Sequence, residues 1–443
     1  MIVNDLTAHR LQVLLARDQV AGRLPSVVGG VVRDGDLVWH GSYGAATGPD
    51  VQHRIGSITK TLVAVVLLQL RDEGRLDLND RLDAHLPGVD YGDRTLRSLL
   101  SHSSGMHSEP AGEWWERTPG GSFDDLAGRL SDVPPAFPAG ATFHYTNVGF
   151  GLLGEVVARL TGQTWFDAVR ARLLEPLGMR RTTYHPEQPA AQGYSVHHFA
   201  GTLDQEPAHD AGAMAPAGQV WSTLEDLARY AAFLAGGDDR VLASATLDEI
   251  TTPQSGSLTG AMAGGYGLGF RLAPGGSGAL CGHTGSMPGF LAGLLADRKR
   301  RTGAVVLANG TSGLRCEGLA IDLLATLEEL EPTLPPPWTP TDAVPGAVAD
   351  VLGVWHWGNT AYAFGWNGTH VVVTQLGTGV EAFRFALRDD GLVGTSGYHH
   401  GERLSVARAA DGSVSHLICA TFVYTRVPYD SSTPIPGGTP SRR

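Results

Sequence analysis

Ser57-Ile58-Thr59-Lys60 places a hydroxyl and an amine three residues apart. On a helix that spacing puts both side chains on one face, so Ser57 Oγ and Lys60 Nζ can meet. The apolar run Leu62 to Leu70 follows, and the pattern predicts a helix over Ser57–Glu73 that stops at Gly74. At a helix N-terminus Ser57 sits where unpaired N–H groups and the macrodipole favour developing negative charge. Burial of Lys60 against the apolar run penalises its ammonium form, lowers its pKa and makes the amine a usable base. The chain holds only two lysines, Lys60 and Lys299, among 33 basic residues, so a lysine here is a choice that wants a reason. A capping serine and a solvated lysine are the plain alternative.

Two further constellations could serve the same chemistry. His144-Tyr145-Thr146-Asn147 stands just before an amphipathic stretch. A phenol near an ammonium can hold partial phenolate character and accept a proton from a serine. An amide two residues on can bridge a lysine and a substrate carbonyl. Gly282-His283-Thr284-Gly285-Ser286 ends a predicted strand. Glycines there admit close approach of substrate backbone, and the Ser286 N–H can point at an oxyanion. Taken alone, these two read equally as a capped helix start and a β-bulge.

Other chemistries find little support. There is no Gly-x-Ser-x-Gly elbow. His197-His198 and His399-His400 are adjacent pairs, a poor spacing for chelation, and no H-E-x-x-H or Cys-rich zinc spacing occurs, so no metal and no resident cofactor are expected. The net charge of −12 argues against a nucleic-acid partner. The first twenty residues lack a basic segment followed by an apolar one. The longest apolar run is about half of the roughly 20 residues that span a bilayer. A protein away from membranes, in the cytoplasm, is the expectation. Three well-separated cysteines, Cys281, Cys316 and Cys419, fit a reducing compartment.

The elements that must hold these residues can be read from periodicity. Asp5–Val20 predicts a helix with Leu6, Leu11, Leu14 and Leu15 on one face. Val27–Val32 and Leu37–Tyr43 predict strands joined at Asp34-Gly35. Asn147–Thr161, Trp165–Leu174 and Leu224–Ala235 predict helices. Tyr266–Leu272, Leu280–Thr284, Phe290–Asp297 and Ala304–Asn309 predict strands, with Arg298-Lys299-Arg300 a solvated turn, and Cys316–Leu330 predicts a closing helix. Strands at both ends bracket a helical middle. The prediction for residues 1–331 is an α+β domain: an antiparallel sheet flanked by helices, with a helical subdomain. Residues 332–345 read as a Pro-rich linker. Residues 346–429 alternate short β-prone runs with turn residues and predict a small all-β domain. Residues 430–443 are Ser/Thr/Pro/Gly-rich and expected to be disordered.

In this order the three constellations resemble the penicillin-binding-protein and class C β-lactamase superfamily over residues 5–330. Leu99-Leu100-Ser101-His102-Ser103-Ser104-Gly105-Met106, Glu175–Met179 and Ala215–Thr223 share the resemblance. It implies a β-lactamase/transpeptidase-like fold, Ser57 as nucleophile, Lys60 and Tyr145 as proton relay, and Asn147 as a substrate-orienting amide. It also implies an oxyanion hole from the N–H groups of Ser57 and Ser286, with Thr284 and Gly285 on the substrate-binding strand. At position 283 β-lactamases and DD-peptidases usually hold a lysine for the substrate carboxylate. His283 departs from that and is similar to D-aminopeptidases and to stand-alone penicillin-binding-protein-type thioesterases of nonribosomal peptide synthesis. Both carry a β-barrel after the catalytic domain, here expected to be lipocalin-like. The Glu109–Arg117 loop resembles loops of the thioesterases, and Trp114 and Trp115 are candidate walls of an apolar peptide pocket. Arg426 is a candidate partner for a peptide carbonyl or carboxylate, with a plain surface arginine as the alternative.

The implied activity is formation of a Ser57 acyl-enzyme from a peptidyl thioester, released by the peptide's own amine as a macrolactam. The donor would ride on the phosphopantetheine arm of a peptidyl carrier domain of a nonribosomal peptide synthetase. The alternative ends the same acyl-enzyme with water, as a D-aminopeptidase, amidohydrolase or esterase does. β-Lactam hydrolysis and a silent peptide-binding module rank below both.

Overall fold

The computed structural model describes residues 2–45, 48–257, 264–276, 278–334, 337–341 and 343–429. The expected tail, 430–443, and part of the expected linker lie outside the described residues. Two compact units divide between Thr333 and Leu334.

In the first unit the chain runs α1 (Asp5–Gly22), β1 (Ser26–Arg33), β2 (Asp36–Gly44), α2 (Ile58–Asp72), α3 (Asn147–Thr161) and α4 (Leu224–Gly236). It continues as β3 (Ser255–Ser257), β4 (Gly264–Tyr266), β5 (Arg271–Gly275), β6 (Gly278–Met287), β7 (Phe290–Asp297), β8 (Thr302–Ala308) and α5 (Cys316–Leu330). The sheet order is β2-β1-β8-β7-β6-β5-β4-β3, antiparallel throughout. β1 zips to β8, with Val27 opposite Ala308 and Arg33 opposite Thr302, so the two ends of the unit close one sheet. The period of two divides β1 between two cores. Val27 and Val31 pack with Leu11 and Leu15 of α1 and Leu319 and Leu323 of α5. Val28 and Val32 join the core built around α2, α3 and α4.

α2 is buried on every side from Ile58 to Leu70, which makes it the centre of the helical layer. Several expected elements are adjusted. Leu6 is exposed rather than part of the α1 face, because Asn4 caps Thr7 N and leaves Leu6 in the solvent-facing first turn. Trp165–Leu174 is α-helical to Val169 and then widens into a π-turn. Tyr266–Leu272 is not one strand, because Gly267–Phe270 turns between β4 and β5. Gly269 has φ +82° there, and a Cβ on it would lie 2.2 Å from Ala64 Cβ of α2.

The second unit holds a closed antiparallel barrel of eight strands, from Gly353–Trp357 to Phe422–Thr425, sealed where His356 pairs with Thr425. Trp355, Phe364, Phe385, Leu417 and Tyr424 fill it. The last two strands, Val414–Cys419 and Phe422–Thr425, are separated by a turn at Ala420 with φ +50°. No helix among the described residues is long and apolar enough to cross a membrane.

Candidate active site

Ser57 precedes the first residue of α2, and its hydroxyl makes no capping bond. It instead accepts from Lys60 Nζ at 2.9 Å. Lys60 Nζ also donates to Asn147 Oδ1 and to Ala217 O, each at 2.7 Å. Lys60 is fully buried. Burial pulls its pKa down to about 7, against the opposing pull of the Glu109 and Glu116 carboxylates. The amine is therefore neutral in about half of the molecules near neutral pH.

Tyr145 stands beside this pair, with Lys60 Nζ 5.0 Å from its ring centroid. Burial pushes its phenol above the ordinary range, while its hydrogen bond to Ser57 acts the other way. The expected phenolate character is thus not what the site favours. Desolvation favours the neutral phenol, as it favours the neutral amine of Lys60. His102, within the segment Leu99–Met106, holds Tyr145 in place. Its ring lies 4.2 Å from that of Tyr145 and 4.4 Å from that of Tyr266, and its Nδ1 accepts from Thr146 N at 3.1 Å. Ser108 completes the clamp, with Oγ donating to Tyr145 O and its carbonyl accepting from Asn147 N.

The cap of α3 is Thr146, which leaves the Asn147 amide for other partners. Its Nδ2 donates to Glu109 Oε1 at 2.7 Å, and Trp115 Nε1 donates to Glu109 Oε2 at 2.7 Å. A chain Trp115–Glu109–Asn147–Lys60–Ser57 results, and its carboxylate, Glu109, belongs to an exposed residue. The two tryptophans part company. Trp115 is buried and lines a separate cavity of about 640 Å³ with His107 and Met214. Trp114 is 58% exposed, under the Arg117 guanidinium and bonded to Glu116. Of the two candidate pocket walls, Trp115 lines that cavity and Trp114 does not.

β6 supplies the facing wall. β5 pairs with it only as far as Gly282, leaving His283–Met287 paired to β7 alone. Gly56 and Gly285 let this strand press on the start of α2. A Cβ on Gly56, at φ +52°, would lie 2.4 Å from Ser286 N, and one on Gly285 would lie 1.9 Å from Ile55 O. The Ser286 N–H is thereby brought beside the Ser57 backbone, as an oxyanion hole requires. Ser57, Tyr145 and His283–Ser286 line one cavity of about 730 Å³. His283 is buried and held near pKa 3, mainly by desolvation and then by the Lys60 charge. Its Nδ1 faces Thr284 O at 2.5 Å and its Nε2 faces Tyr266 OH at 2.8 Å. A carbonyl only accepts, so Nδ1 carries the proton and Nε2 accepts from the phenol. The imidazole is neutral with both nitrogens engaged.

In the barrel unit Arg426 lies 3.6 Å from the Trp355 ring centroid and donates to Leu352 O and Val354 O. His399, from a pair judged poor for chelation, meets distant residues instead. Its donor atom and those of Glu402 and Cys419 fall within 4.8 Å of one another, and its two nitrogens face Glu402 and Tyr424.

A family model described as Beta-lactamase matches residues 7–327, and one described as a domain of unknown function (DUF7586) matches 344–426. The chain belongs to the β-lactamase family, within the serine hydrolase superfamily of β-lactamases and penicillin-binding proteins. It is 33% identical to Penicillin-binding protein 4 of Amycolatopsis lactamdurans over 56% of this chain and 71% of that one. It spans 46% and 64% of two other curated relatives. Among solved structures it is similar to a D-stereospecific amidohydrolase from Streptomyces sp., at 29% identity and TM-score 0.61 over 73% of this chain and 98% of that one. It is also similar to SurE with D-Leu, at 26% identity and TM-score 0.58 over 96% and 100%.

Proposed function

We propose that this protein is a serine acyltransferase that forms a Ser57 acyl-enzyme from a donor with a D-configured acyl residue. The carrying observation is the 2.9 Å contact between Ser57 Oγ and a fully buried lysine whose pKa lies near 7. Neutral Lys60 takes the Ser57 proton as Oγ attacks the donor carbonyl. The oxyanion rests between the N–H groups of Ser57 and Ser286. Tyr145 passes a proton from the Lys60 ammonium to the departing group, and the acyl-enzyme remains. The D preference is supported by the amidohydrolase and SurE likenesses.

In the first reading the acyl chain is a peptide delivered as a thioester on a phosphopantetheine arm, and its own amine displaces Ser57 to close a macrolactam. Trp115 is proposed to contact that peptide. A second reading, release by water from D-aminoacyl amides, is favoured by Glu109. An exposed carboxylate fixed beside Asn147 suits the ammonium of a free amino acid. The neutral His283 offers no cation to a β-lactam carboxylate under either reading.

Mass spectrometry of products from linear peptidyl N-acetylcysteamine thioesters and D-amino-acid amides tests both, with Ser57→Ala as control. A product that has lost the thiol without gaining water is expected of a cyclase. A product gaining water from every donor assigns hydrolysis. Turnover persisting in Ser57→Ala removes Ser57 from the mechanism.

A further inference from the structure

We propose that the ion pair Arg271–Glu317 sets the charge preference of the leaving group, admitting uncharged leaving groups and rejecting those that carry a carboxylate. This rests on the Ser57 acyl-enzyme reading. Among the described residues lining the cavity beside Ser57, the charged side chains are Arg271, Arg315 and Glu317. Tyr145, which hands the leaving group its proton in that reading, lines the same cavity, whereas Trp115 lines the other one. The cavity is therefore assigned to the departing half of the donor.

Each cation in it already has its anion. Arg271 stands on β5 opposite Gly282, one strand over from His283. It meets Glu317, in the first turn of α5, through both Nε and NH2, the NH2–Oε1 leg being 3.2 Å. Arg315 forks onto Asp18 at 3.1 and 2.8 Å and reaches Asp322 at 3.0 Å. His283 adds no charge, since it is buried and desolvation disfavours its protonated form. A leaving group with a carboxylate must displace Glu317 from Arg271, or sit beside it as a like charge in a partly desolvated cleft. A carboxamide or thioester meets neither obstacle. The pair stays accessible, its side chains being 33% and 26% exposed, so a donor can feel it without disturbing the fold.

Two aryl esters of D-phenylalanine test this. One releases 3-hydroxybenzamide and the other 3-hydroxybenzoate, which are alike in shape and differ in charge. The readout is the ratio of kcat/KM for the two esters in the wild type, Glu317→Gln and Arg271→Gln. The wild type is expected to favour the benzamide ester by about tenfold or more. Glu317→Gln frees the cation and should narrow or invert that ratio. Arg271→Gln leaves the anion alone and should widen it. A misfolded variant depresses both esters together, so opposite movements of the ratio cannot come from lost structure. A wild type preferring the benzoate ester, or variants that leave the ratio unmoved or move it the same way, overturns the charge lock. Cleavage of both esters no faster than by Ser57→Ala overturns the nucleophile assignment itself, and this inference with it.

Discussion

Replacing Glu109 by Gln should move the acidic limb of the acylation profile down by about one pH unit. Glu109 has the larger effect of the two carboxylates that hold the Lys60 pKa up against burial. It reaches Lys60 through the Asn147 amide, across two hydrogen bonds of 2.7 Å. That path puts its charge roughly 7 Å from Nζ, worth about 2.4 kcal/mol at an effective dielectric of about 20 and about 0.6 in water. The side chain is exposed, so solvent screening places the effect between these, at about 1.4 kcal/mol or one pKa unit. Glutamine keeps an acceptor for Asn147 Nδ2 and removes the charge. The assay is the second-order acylation rate with an aryl ester between pH 5.5 and 9, which reports the free enzyme. The wild-type rate should rise through about pH 7, because deprotonation makes Lys60 the base. At pH 6 the wild type should hold about a tenth of its plateau and the variant about half. A limb that stays put, moves upward, or lies near the ordinary lysine range in both proteins refutes the assignment of Lys60 as base.

Tyr145→Phe should slow acylation by about 10²–10³-fold while leaving the limb near pH 7 in place, since the phenol relays a proton and does not set the base. A limb that vanishes with the hydroxyl would return the base role to Tyr145; the same aryl-ester profile decides it. Gly56→Ala should cost about 10²-fold in acylation, because its Cβ drives Ser286 N away from Ser57. Near-normal burst rates in a folded Gly56→Ala protein would show that Ser286 N–H takes no part in an oxyanion hole.

The fold and the meeting of Ser57 with Lys60 were legible because they rest on local signals. Ser57 and Lys60 meet through helix spacing alone, and the apolar run after them guarantees burial of the amine. The apolar, β-prone runs of β1, β7 and β8 and the turns between them announced an antiparallel sheet, and the turn-rich text after the prolines announced a small all-β domain. The strand break at Gly267–Phe270 was not legible, since it answers to the close approach of Ala64 from a helix two hundred residues earlier.

What local spacing could not show is how charges and rings from distant segments share one small volume. Glu109 lies among loop residues in the sequence, and only the tertiary structure sets it between Asn147 and Trp115. Arg271 and Glu317 are 46 residues apart and meet because β5 packs beside the start of α5. The Tyr145 proton follows the same logic. Residue type placed a phenol by the lysine, but desolvation in the folded site pushes it towards the protonated form. The meeting of Ser57 with Lys60 is local, carried by the helix period. The site's protonation states and charge preferences are collective, because desolvation and Coulomb interactions depend on every group the fold brings within a few ångströms.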